Sequence, residues 1–198
     1  LFRTLTGRAW ILAGSLTEGS AAPDAAALSL IATILGEGRS SRLHRRLVEQ
    51  EAMAPEVVAM AYEVSNAGAF GAGVSVEPEA AAAAMRALRE ELARLTVEPV
   101  LPWELENARV RQEARLSLEM QTNEGAAAFR SRRLLSGHPA SRDALTSKMA
   151  RISPMDLMAA ARARWGDDTG GPVEIQVVPA RGLGKALALL RYQFLRRL

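Results

Sequence analysis

The chain contains no cysteine, only two histidines and very few aromatic residues. Without cysteine there is no disulfide framework and no thiolate metal site. His44 and His138 fall in different predicted elements, and neither stands in a His-x-x-Glu-His run or its inverse. A catalytic zinc needs three protein ligands around an open position, so a self-contained zinc site is not expected here. The cations of Arg45 and Arg46 would repel a metal at His44, and each histidine reads as a surface or capping residue. No serine sits in a Gly-x-Ser-x-Gly elbow, and Glu49 and Glu51, two residues apart, cannot face each other on a helix as an acid and base pair. No apolar run reaches the roughly 18 residues that would span a bilayer, and the start does not resemble a signal peptide.

Lysine is also scarce. With only Lys148 and Lys185, nearly all of the 25 basic residues are arginine, and the formal net charge is +3. Basicity can mark a nucleic-acid binder, but acidic residues are interleaved through the same helices. Glu106 with Arg109, Arg109 with Glu113, and Arg115 with Glu119 have helical spacing and read as a solvated face. Stacking platforms are lacking too, so the pattern does not favour nucleic acid.

Arg8 to Leu16 alternates Trp10, Leu12, Gly14 and Leu16 with smaller residues, which predicts a half-buried strand. Ala25, Leu28, Ile31, Ala32 and Leu35 recur at three- and four-residue steps, with Leu30 and Ile34 off that stripe, predicting a helix buried on most sides. A second helix is expected from Ser41 to about Gln50, ended before Pro55. Val58, Met60, Tyr62 and Val64 share one face. Phe70, Ala72, Val74 and Val76 share another, and Ser65-Asn66-Ala67-Gly68 turns between them as a β-hairpin. Pro78 opens an amphipathic helix with Ala81, Met85, Leu88, Leu92 and Leu95 inward. Pro102 opens a long charged helix to about Met120. Helices continue to Trp165, broken at Gly137-His138-Pro139 and at Ser153-Pro154, the second a capping start with Asp156. Val173, Ile175 and Val177 form a closing strand. The order predicts an α+β two-layer sandwich, a mainly antiparallel sheet with helices packed on one face.

Leu35-Gly36-Glu37-Gly38-Arg39-Ser40-Ser41-Arg42-Leu43 joins an apolar helix to a basic one. Gly36 is placed to close the first helix in the left-handed conformation, and Ser40 or Ser41 to cap the second. Gly36-x-Gly38 before a helix start could also cradle a phosphate, but such loops follow strands and this one follows a helix. Arg39, Ser40, Ser41 and Arg42 are the candidate contact residues for a substrate or partner.

This corner, preceded by Pro23-Asp24, resembles a signature of the inactive C-terminal domain of pitrilysin/insulinase-type zinc metallopeptidases, the group that includes processing-peptidase-like proteins. The similarity continues through Ala69-Phe70-Gly71, Pro102-x-Glu104-Leu105-Glu106 and Ile152-Ser153-Pro154-x-Asp156-Leu157 to Val177-Val178-Pro179. The resemblance implies a domain or subunit that is not catalytic alone. It would hold no zinc itself, pack against a zinc-bearing domain or subunit, help enclose peptide substrates, and could form a dimer. In many relatives this half lends the active site an arginine and a tyrosine seven residues apart; the matching positions here are Val48 and Pro55, which cannot donate hydrogen bonds from their side chains. That departure leaves open a structural core subunit without peptide handling.

The peptidase-like domain is expected over 1–180. The rest, 181–198, reads as a basic amphipathic helix with Leu183, Leu187, Leu190, Phe194 and Leu198 on one stripe. It fits a docking helix better than a membrane-surface one. A start at Leu1 inside a predicted strand suggests a piece of a longer polypeptide.

Overall fold

A computed structural model describes residues 2–4, 7–20, 22–64, 66–166, 169 and 171–179. Among them, five strands form one sheet: β1 (Phe2–Thr4), β2 (Ala9–Thr17), β3 (Val57–Val64), β4 (Ala67–Val76) and β5 (Val173–Pro179). Their order across the sheet is β1-β5-β2-β4-β3; only the β1–β5 pairing is parallel. Six α-helices accompany it: α1 (Ala25–Gly36), α2 (Ala81–Val97), α3 (Pro102–Glu119), α4 (Asn123–Leu135), α5 (Arg142–Ala150) and α6 (Pro154–Trp165). A π-helix spans His44–Gln50. The architecture is the expected α+β two-layer sandwich. The tail 181–198 lies outside the described residues.

Alternation along the strands decides what faces the helices. Ala9, Ile11 and Ala13 of β2 and Phe70, Ala72, Val74 and Val76 of β4 are buried beneath α1 and α2. The small side chains of β2 are therefore its inner ones, and the larger Trp10 and Leu16 project from the opposite face. The hairpin pairs Val64 with Ala67, so its strands run into the segment expected as a turn.

Helix α1 is apolar all round because it is covered on both sides, by the sheet below and by α3, α5 and α6 above. Leu28, Leu30, Ile31 and Leu35 are fully buried, and each contributes roughly 1.5–3 kcal/mol relative to exposure. Helix α2 buries the predicted stripe Ala81, Met85, Leu88, Leu92 and Leu95. The α6 start is capped as its sequence implies: Ser153 Oγ accepts from the Asp156 N–H, and Asp156 accepts from the Ser153 N–H. Trp165 closes that helix against Phe70, with ring centroids 4.7 Å apart.

The corner after α1 differs from expectation in one respect. Gly36 is the last helical residue, and the left-handed glycine is Gly38, with φ of 75°. What Gly36 supplies is proximity: a Cβ there would lie 2.3 Å from the Ala59 backbone nitrogen on β3. The helix can seat on the sheet at this point only because no side chain intervenes.

Candidate functional site

At the corner, Arg42 is committed to the fold. Its Nε and one terminal nitrogen donate to the two carboxylate oxygens of Glu104, at 2.8 and 2.7 Å, and both side chains are buried, with exposures of 7% and 4%. Glu104 also accepts from the Leu101 N–H at 2.9 Å, tying off the first turn of α3. Burial works to raise the Glu104 carboxyl, but the bonds from Arg42 and Leu101 outweigh it and hold the group below the usual carboxylate range. The corner signature and the Pro102-x-Glu104 helix start, separate in sequence, are two ends of one ion pair.

The remaining candidate residues do not converge on a ligand site. Arg39 is exposed and Ser40 half-buried. Ser41 Oγ is buried without a hydrogen-bond partner, so neither serine caps the helix that follows. The geometry does not favour a phosphate cradle here. The Glu37 and Ser41 amides are bonded to the Thr33 and Gly38 carbonyls, and the space beside them is only about 10 Å³.

Past the corner the chain winds as a π-helix, in which Leu47 is fully buried and Val48 half-buried; Pro55 follows it, exposed. Arg46 in this helix bridges to Glu51 at 2.8 Å, to Glu91 at 3.1 Å, and to Glu90. Burial alone would lower the Arg46 guanidinium, yet its three carboxylate partners raise it well above its ordinary value.

Arginines on α3 also reach beyond their own helix. Arg109 pairs with Glu106 as expected, and further donates to the Met149, Ala150 and Ile152 carbonyls at the end of α5. Arg115 instead pairs with Glu37, Glu119 with Arg132 and Glu113 with Arg142. The predicted solvated face is, at these positions, a set of ties between elements.

The described residues hold no group of three or more His, Cys, Asp or Glu that could grip a metal ion. His44 stands 3.6 Å from Glu49. His138 is neither a free surface residue nor a cap: its Nε2 is hydrogen-bonded to the Ser20 carbonyl oxygen.

The most unusual surface is the sheet face that no described helix covers. Cross-strand pairing places Trp10, Leu12 and Leu16 on it beside Met60, Tyr62, Val173 and Ile175. Leu16 is 82% exposed, Val173 66%, Tyr62 64% and Met60 54%. Gly14 and Gly71 lie between Met60 and Val173 and leave the middle of this face without side chains. In β5 the alternation runs opposite to that of a strand with a covered apolar face. Polar Glu174 faces the helices, where Arg89 of α2 binds it bidentately, one bond being 2.6 Å, while Val173 and Ile175 face outward. The hydropathy of β5 showed its alternation but not which side was covered, and the Arg42 partner was missed because Glu104 reads as an ordinary first-turn acid.

The described residues form an α+β layer with one continuous core, the fold class expected of a peptidase-like domain. The sequence matches the family of peptidase M16 inactive domains over residues 6–111, more than half of the chain, and the protein belongs to that family. No curated protein sequence matches it. Among solved structures it is similar to a protease from Helicobacter pylori, with 18% identity and a TM-score of 0.78 over 90% of this chain and 43% of that one. It is likewise similar to a peptidase M16 inactive domain from Pseudomonas fluorescens, with 17% identity and a TM-score of 0.78 over 91% and 43% of the two chains. The chain thus spans less than half the length of these two structures. The inactive peptidase domain of a candidate zinc protease from Bordetella parapertussis is covered over 96% of its length, with 91% of this chain aligned, 22% identity and a TM-score of 0.77.

Proposed function

We propose that this domain serves as a non-catalytic wall of a zinc peptidase. It packs against a zinc-bearing domain or subunit and helps enclose peptide substrates. The observation that carries the reading is the apolar, glycine-interrupted sheet face left open to solvent. Contiguous exposed apolar surface of this kind marks interaction sites, and an extended peptide or a partner's surface would bury it. The absence of a metal-holding cluster among the described residues supports assigning the zinc to the partner.

Mixing the chain with a zinc-bearing relative tests this. A stable complex is expected by light scattering, with peptide cleavage greater than that of the relative alone. Replacing Leu16 and Tyr62 by lysine should weaken both. Stoichiometric zinc and peptide cleavage by this chain alone, or assembly unaffected by the lysine substitutions, would refute the proposal. Val48 and Pro55 favour a second reading, a structural core subunit that handles no peptide. Complex formation with no change in cleavage would select it.

A further inference from the structure

Helices α4 and α5 form a hairpin that stands partly off the domain. Phe129 is the one buried residue of α4, and Met149 that of α5. Between this hairpin and the body formed by α1, β3 and α3 lies a cavity of about 280 Å³. That is close to the lower end of ligand pockets, roughly 300–1,000 Å³, and suits a small molecule rather than a folded peptide.

Some of the charges around it satisfy one another. Arg115 pairs with Glu37 at 3.3 Å, and Arg132 with Glu119. The inner groups do not. Glu63 projects from the helix side of β3, and its Oε1 is buried with no hydrogen-bond partner. Such a desolvated carboxylate oxygen is costly to leave unpaired. Facing it are Lys148 from α5, Arg133 from α4 and His138 from the loop between them, with Asp24 as the further acid. None of these bases hydrogen-bonds it. Arg133 donates to the Pro139 carbonyl at 3.2 Å, His138 is engaged by the Ser20 carbonyl, and Asp24 is held by Arg164 at 3.0 and 3.1 Å. Among the described residues the Lys148 ammonium has no hydrogen-bond or ion-pair partner.

One carboxylate and two cations therefore border the same void without touching. A simple anion would satisfy Lys148 and Arg133 but be repelled by Glu63, and a simple cation would meet the reverse problem. A molecule carrying both charges a few bonds apart answers all three groups and keeps the chamber close to neutral.

We propose that this cavity is a binding site for a small zwitterion of the amino-acid class, a free α-amino acid or a dipeptide, with its ammonium on Glu63 and its carboxylate on Lys148 and Arg133. The site lies in the helical layer, away from the open sheet face, and does not depend on the wall reading.

Calorimetric titration of the full chain with the free amino acids and with glycylglycine at millimolar concentration tests it, with acetate and methylammonium as single-charge controls. Saturable binding of at least one zwitterion is expected, with neither control binding saturably. Glu63→Gln and Lys148→Met should each weaken it roughly tenfold to a hundredfold, as the loss of a charged hydrogen bond implies. Glu63→Gln keeps the side-chain shape while removing an uncompensated charge, and circular dichroism should show it folded. Binding by no zwitterion of the panel would overturn the proposal. So would undiminished binding by both variants, or acetate binding as tightly as the zwitterions.

Discussion

Arg42 and Glu104, 62 residues apart in sequence, are locked by two parallel bonds of 2.8 and 2.7 Å with both side chains buried. Removing either partner strands the other charge in the interior. Arg42→Ala and Glu104→Ala should each cost about 3–5 kcal/mol. The double replacement Arg42→Ala with Glu104→Ala should cost far less than the two together. Urea denaturation of the four proteins checks the coupling, and additive losses would mean the pair is not a unit.

Glu104 and Glu63 give stability opposite dependences on pH. Glu104 is held below its ordinary value of 4.5, so the stability it brings is present above that value and lost as pH falls through its depressed pKa. Glu63 is pushed up by burial, and the nearby Asp24 adds to this while Lys148, His138 and Arg133 oppose it. Its folded form holds a proton longer than the unfolded chain does. Stability should therefore decline as pH rises from about 4.5 through its raised pKa, and the penalty should persist above it. Glu63→Gln is expected to flatten that decline and to stabilise the protein at neutral pH. Thermal unfolding as a function of pH reads both effects, and an unchanged slope in the variant would argue that Glu63 does not titrate there.

Gly36→Ala should destabilise by about 1–3 kcal/mol, because the added methyl runs into the Ala59 backbone and one of the two elements must move. Gly71→Ala makes the control: a Cβ there meets nothing within 4 Å, and the change should stay within about 0.5 kcal/mol. Equal losses at both positions would remove close approach as the explanation.

Leu16→Thr, Met60→Thr and Tyr62→Thr lie on the open sheet face, where little native burial is lost. Each should change stability by no more than about 0.5 kcal/mol, while the triple variant self-associates less at high concentration. Sedimentation velocity makes the comparison, and a large loss of stability would show that this face is part of the core.

Much of the fold was legible in the residues themselves. Ser153-Pro154 and Pro102 marked helix starts because a capping hydroxyl or carboxylate and a fixed φ act locally. The hairpin and the α2 stripe were equally local signals. Two things were not. Alternation separates the faces of a strand but does not say which is covered, so Trp10 and Leu16 could be assigned to a side only once Ala9, Ile11 and Ala13 were seen against the helices. Arginine partners were unreadable as well. The long side chain lets Arg115 leave its helical neighbour Glu119 for Glu37 on another element, and Glu63 gave only the faint signal of one acid on the inward side of a strand.

The wide winding of His44–Gln50 bears on how relatives of different length can share this corner. A π turn holds one residue more than an α turn of similar rise. A chain one residue shorter could tighten to an ordinary helix here while Leu43 and the start of β3 keep their places. Insertions and deletions should therefore collect in this stretch, and positions matched across it, Val48 and Pro55 included, shift by one whenever a relative lacks the extra residue.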